Sequence, residues 1–397
     1  MGRSNDIAFM RQVCRSGVDI IVSMPMASET LKRLVPSFSL SMIEVDARCA
    51  PRRHYSEFFD EFSHQLFGTA GHQIAAATDD PAAFGQLLLR NTKAFGTLID
   101  NPPDYLSGAT YNMLFQRNGI HHCLDVALRD ANGPRAILGI FRERDAHAFN
   151  QQDLAVIDAL YPHLVHASAA EPMPEDFDEI ESALLIVDPN GTIQWASPLA
   201  REWLGDAAYV TERAALLDRR ALPEACRELC RVWQSGRMTR RSHGGRSPVP
   251  TVCLPLPGGQ LRLRAYELAG LSGQQGQIGI QLHLEMSRSL RILRVLESCA
   301  LSPQQRRIAF GLARGRSTSD LRKDLGISAE TLKSYQKDLY ARLGVSGAGA
   351  LVDLLHERAQ TVSLNLTRHW PVASPGDPTT LTDEPVTLRR DDPPARG

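Results

Sequence analysis

The tightest constraint on this chain is a three-residue junction, Gly326-Ile327-Ser328, set between two short stretches of helical apolar spacing. A glycine just past Leu325 can turn left-handed without steric cost, Ile327 is an apolar plug, and Ser328 is a good helix N-cap. Two helices joined so tightly cannot run on as one, so they must cross. The flanking pattern agrees. Ser302-Pro303 predicts a helix start with proline at the favoured first position; Ile308, Ala309 and Leu312 line one face, and Gly315 stops it. Ser317, with Asp320 three residues on, opens a second helix over 318–325 that buries Leu321 and Leu325. A third spans 329–343 and buries Leu332, Leu339 and Leu343, leaving Lys333, Ser334 and Lys337 together on the opposite side.

Charge sharpens this picture. Residues 287–361 hold 13 Lys and Arg against 7 Asp and Glu, whereas the chain as a whole has a formal net charge of −1. A small basic module therefore follows an acidic bulk. A helix carrying short polar and long cationic side chains suits the major groove of duplex DNA, where lysine can bond guanine O6 and N7. Arg306, Arg307, Arg316, Arg322 and Lys323 are candidates for the phosphate backbone. The same periodicity also fits a small helical bundle with a solvated basic face. In that case the protein would be a signalling or structural scaffold that uses a helix-turn-helix for protein interaction.

Residues 301–357 resemble the C-terminal DNA-binding domain of LuxR-type regulators. The likeness rests on Leu301, Leu312-Ala313-x-Gly315-x-Ser317, Leu321, Leu325-Gly326-Ile327-Ser328, Thr331-Leu332-Lys333 and Leu343-Gly344-Val345. It implies an all-α four-helix domain with residues 346–357 as a last helix used for dimerisation. It makes Lys333, Ser334 and Lys337 the base-reading residues and Tyr335, which replaces a family histidine, a backbone contact. Gln305 replaces an acidic residue, Thr318 an asparagine and Arg342 a lysine. The partners implied are double-stranded DNA, RNA polymerase for an activator, and a second copy of the chain.

Ahead of this module the sequence predicts helices at 5–16 and 29–35, a strand at 39–47, and helices at 54–67 and 82–91. Two strands at 121–130 and 135–143 meet at Asn132-Gly133, and a helix over 149–167 opens on an Asn150/Asp153 capping box. The Pro- and acid-rich stretch 170–176 is a boundary. A hairpin follows at 183–188 and 192–197, with helical and loop material to about 248, and strands at 256–268 and 276–285. Residues 1–168 resemble a GAF domain, chiefly through 111–167, and residues 178–286 resemble a PAS domain. The fold class expected is thus multidomain α+β: two α+β sensor-type domains, a helix-turn-helix domain at 287–361, and a disordered tail at 362–397 with six prolines in its last 27 residues. Both front folds can enclose a small-molecule effector or serve only in dimerisation. Phe58, Phe62, Phe95, Leu114 and Phe115 are the candidate pocket residues, with core packing as the alternative reading.

Other chemistries find no foothold. There is no Gly-rich phosphate loop followed by lysine and serine, and no H-E-x-x-H, so neither an enzyme nor a cofactor is expected. In His121-His122-Cys123 only His121 and Cys123 share a strand face, and two ligands do not define a tetrahedral metal site. Seven cysteines without repeated spacing suit reduced thiols, and no window reaches the length of a membrane span; a cytoplasmic protein is expected.

Overall fold

Two antiparallel sheets and a run of C-terminal helices make up the computed structural model. It describes residues 2–57, 88, 105–173, 175–211, 221–243, 249–268, 276–362 and 364. The chain opens with α1 (Arg3–Cys14) and α2 (Ile20–Leu34), the latter capped by Asp19, which accepts from the Ile21 amide at 2.9 Å. Only the end of α2 is legible in the sequence. Its residues are buried nearly all round, so no apolar stripe stands out, and Pro25, which reads as a breaker, sits inside the helix.

The first sheet has the order β2-β1-β4-β3, built from β1 (Ser39–Val45), β2 (Pro51–Ser56), β3 (His122–Asp130) and β4 (Gly133–Arg142). The helix expected from residue 54 is corrected at its start. His54, Tyr55 and Ser56 are extended in β2, with Tyr55 opposite Met42, because ladder bonds to β1 outweigh a mixed local pattern. Its remainder from residue 58, and the helix expected at 82–91 apart from Leu88, lie outside the described residues. Helix α3 (Gln151–Ala169) carries the reciprocal cap that its sequence predicts: Asn150 Oδ1 accepts from the Gln152 amide at 2.8 Å, and Asp153 accepts from the Asn150 amide at 3.0 Å.

The second sheet runs β6-β5-β9-β8-β7, with β5 (Phe177–Val187), β6 (Ile193–Ala196), β7 (Thr251–Leu256), β8 (Gly259–Leu268) and β9 (Gln277–Ser287). Between β6 and β7 come α4 (Pro198–Thr211) and α5 (Glu224–His243). The strand read at 256–268 is β8 from Gly259 onward; β7 ahead of it, which the sequence reading missed, pairs with it as a hairpin. It turns at Pro257-Gly258, where Gly258 has φ of +83°, and Pro255 masks β7 as a strand. Gly259 has no substitute, since a Cβ there would stand 1.9 Å from the Glu285 carbonyl oxygen.

No linker separates this sheet from the helices that follow. Ser287 ends β9 and caps α6 (Arg288–Ser298) through its hydroxyl, 3.2 Å from the Leu290 amide. The remaining helices are α7 (Pro303–Ala313), α8 (Thr318–Leu325), α9 (Ala329–Leu343) and α10 (Ala348–Thr361). Leu351, Leu355 and Ala359 of α10 are buried, and the helix packs on α6 and α7. The tail beyond 364 lies outside the described residues.

Candidate nucleic-acid interface

Each helix of the basic module is closed by its own local chemistry. Ser302 Oγ accepts from the Gln305 amide at 3.2 Å and Gln305 Oε1 from the Ser302 amide at 2.9 Å, so glutamine completes the capping box in place of an acid. Ser317 caps α8 through the Asp320 amide, and Ser328 caps α9 through the Thr331 amide, both at 3.1 Å. Gly326 is left-handed at φ +63°, ψ +36°, with Ile327 N–H reaching the Arg322 carbonyl and Gly326 N–H the Lys323 carbonyl. These are the two bonds of a Schellman end, and they fix how α9 departs from α8. Close packing needs a second glycine: a Cβ on Gly311 of α7 would meet Leu321 of α8 at 2.3 Å.

On that frame Leu332 and Leu339 of α9 are buried, while Lys333, Ser334 and Lys337 are exposed together. Arg322 and Lys323 are exposed on α8. Arg316 is half held by an ion pair to Asp324. Arg307 is half-buried, and Tyr335 is partly buried with its ring against the core, so both offer less to a ligand than their spacing implies. Arg306 is the clear correction. It is 1% exposed, its Nη2 donates to Asn5 Oδ1 at 2.5 Å, and its guanidinium lies 5.6 Å from the centre of the Phe9 ring. In this arrangement it cannot touch a phosphate.

What covers Arg306 is the front of the chain. Gln12 of α1 donates to the Arg306 carbonyl at 3.3 Å. Arg33 of α2 bridges Asp6 (3.3 Å) and Glu297 of α6 (2.6 Å), and Arg294 of α6 bridges Glu29 (2.5 Å) and Glu297 (2.8 Å). Arg314, at the end of α7, bonds the Ser16 carbonyl and stands 3.6 Å from Glu175 Oε2. The front therefore holds α6 and α7 and leaves the lysine face of α9 in solvent. Sequence reasoning misses Arg314 and Glu175, because nothing local distinguishes them from surface charges.

Of the candidate pocket residues, Leu114 and Phe115 are packed in a core cluster with Tyr111, Ile120, Cys123 and Phe141. Phe58, Phe62 and Phe95 lie outside the described residues. His121 Nδ1 is 2.9 Å from the Tyr111 hydroxyl. Cys123 is buried, two residues from the buried Asp125 on the same strand. Among the described residues no three His, Cys, Asp or Glu side chains gather to hold a metal, and no helix is long and apolar enough to cross a membrane.

Residues 299–355 match the family described as bacterial regulatory proteins, luxR family. The C-terminal helices are a LuxR-family helix-turn-helix domain. No curated protein matches the chain. Among solved structures, similar chains include the VqmA–ligand–DNA complex of Vibrio cholerae, with 16% identity over 45% of this chain and 83% of that one, and a TM-score of 0.28. The phage VqmA–DPO complex shows 17% identity over 46% and 84%, with a TM-score of 0.24. The sensor region of a sensor histidine kinase shows 14% over 44% and 64%, with a TM-score of 0.16. Superpositions so poor carry no functional argument. The LuxR-family match covers the capped helices and the exposed lysine face of α9, and it does not extend to the two sheets.

Proposed function

We propose that this protein is a sequence-specific transcriptional regulator that reads duplex DNA with α9 of its LuxR-family domain. The observation that carries the reading is the solvent-exposed set Lys333, Ser334 and Lys337 on a helix whose start, crossing and core are all locally specified. Lys333, Ser334 and Lys337 contact base edges, and Arg316, Arg322 and Lys323 contact phosphates. The front sheet is a GAF-like unit and the second a PAS-like unit. Support for the latter is that β5, β6, α4 and then β8 and β9 follow the order that the resemblance calls for, in one sheet. The protein acts as an activator with RNA polymerase, in the cytoplasm, under a small-molecule effector.

It works as a homodimer. Leu184, Ile180 and Trp195, the last 69% exposed, leave an apolar surface on β5 and β6 that a second copy would cover. Two related modules then meet half-sites about one helical turn apart. The test is retardation of genomic duplex fragments by the full-length protein at several salt concentrations. Selective shifts that weaken with salt are expected. If no fragment shifts in moderate salt, the DNA reading falls and the scaffold reading takes its place.

A further inference from the structure

A cleft of about 300 Å³ lies between the front unit and the second sheet, with Glu175 on its wall. Val18 and Val22 of the α2 region, Phe177 of β5 and Pro255 of β7 give it apolar walls. Neither Leu114 nor Phe115 lines it. We propose that this junction is the effector site and that it takes a small molecule bearing a protonated amine on an apolar body. The proposal deepens the function put forward above and rests on it.

The polar groups of the cleft decide the ligand class. Arg53 is already engaged: Nε and Nη2 donate to Glu44 at 2.5 and 2.9 Å, and Nη1 to Asp19 at 2.8 Å. Gln260 spends its amide nitrogen on Glu285 at 2.7 Å, which leaves its carbonyl oxygen to offer. Glu175 is the decisive group, with its side chain only 7% exposed. Oε1 accepts from the Ser287 hydroxyl at 3.0 Å and the Ser289 amide at 2.8 Å, but Oε2 has no hydrogen-bond partner. The charge facing Oε2 is the Arg314 guanidinium, 3.6 Å away and beyond hydrogen-bond distance, so a charged donor that came closer would satisfy this buried oxygen better. The cleft thus presents acceptors and negative charge on an apolar floor, which favours an ammonium and repels a carboxylate. Its size, at the low end for ligand sites, keeps the molecule small.

Position makes the site regulatory. Through Oε1, Glu175 holds the first turn of α6, which continues from β9 without a linker. Its Oε2 stands 3.6 Å from Arg314, which also donates to the Ser16 carbonyl and so ties the end of α7 to the front. An ammonium on Oε2 competes with Arg314 and loosens the tether that keeps Arg306 buried. Because coupling is reciprocal, amine and DNA raise each other's affinity, by about fivefold or more.

The experiment uses full-length protein in calorimetric titrations with benzylamine, phenethylamine and cyclohexylmethylamine, and with benzyl alcohol and benzoate as neutral and anionic counterparts. At least one amine is expected to bind saturably, with the alcohol about tenfold weaker and benzoate not detected. Glu175→Gln keeps an acceptor for Ser287 and Ser289 and is expected to erase the preference for amine over alcohol. Gln260→Leu, at a second polar residue of the lining, serves as the second variant should Glu175→Gln fail to fold, and is expected to weaken amine binding several-fold. Equal binding of amine, alcohol and carboxylate, or binding of none, overturns the site. DNA retardation unchanged at saturating amine also overturns it while leaving the DNA reading intact. Amine binding by a protein that retards no duplex supports the site and overturns the DNA reading instead.

Discussion

Two basic faces of the same helical domain have opposite fates. Arg306 on α7 is sealed under α1, while Lys333 and Lys337 on α9 stand in solvent. Charge and spacing alone point to DNA for both. The difference teaches that a basic helix face is free only if no other part of the chain needs it. Here α6 and α7 dock to the front through Asn5, Gln12, Arg33, Glu29 and Glu297, and α9 is spared.

The largest effect expected is on the frame that both faces share. Leu339 of α9 is fully buried, so Leu339→Ala should cost about 2–5 kcal/mol, through reduced burial and a residual cavity. Thermal or denaturant unfolding monitored in the C-terminal domain checks this, and DNA binding should fail along with it. A change under about 1 kcal/mol would mean that α9 is not packed as described.

The front unit offers a contrast in pH. Burial raises the Asp125 carboxyl to about 6, with the nearby Cys123 thiol opposing part of the shift. A carboxyl whose folded pKa lies above its unfolded value holds its proton more tightly in the native state. Its stabilising contribution is therefore full below about pH 4, is lost as pH rises through about 6, and is flat above. Asp125→Asn should gain on the native protein by up to about 3 kcal/mol over that window, read from denaturant midpoints at a series of pH values. The helix-turn-helix should show no such dependence from this residue, and parallel curves for variant and native protein would refute the assignment.

Smaller effects separate the two faces directly. Lys333→Ala or Lys337→Ala should cost about 1–3 kcal/mol of discrimination between cognate and scrambled duplex, with the melting temperature unchanged. Equal weakening on both duplexes would remove that lysine as a base reader. Arg322→Ala should shallow the logarithmic salt slope by about 0.9, the share of one neutralised phosphate, whereas Arg306→Met should leave the slope of full-length protein unchanged. A shallower slope for Arg306→Met would show that the docked arrangement opens when DNA binds.

Much of the helical domain is legible in the sequence because its signals are local. Ser302, Ser317 and Ser328 each cap within three residues, Gly326 ends a helix by its own left-handed backbone, and the leucines recur at helical spacing. The front unit is harder to read for the opposite reason. Helix α2 has no polar face to set a period, and β2 is extended only because β1 lies beside it. The β7–β8 hairpin is hidden by Pro255, which an edge strand tolerates but a central one would not.

By itself, then, the sequence determined the capped helices, the tight turn between α8 and α9, and the side of α9 on which Lys333, Ser334 and Lys337 fall. These follow from backbone preferences and apolar spacing within a few residues. Only the tertiary structure decided that Arg306 is buried under Phe9 and Asn5, that Glu175 meets Ser287, Ser289 and Arg314, and that a cleft opens beside them. Those contacts join residues more than a hundred positions apart. Their free energy comes from burial and charge pairing that exist only once the sheets and helices have assembled, so no local pattern can encode them.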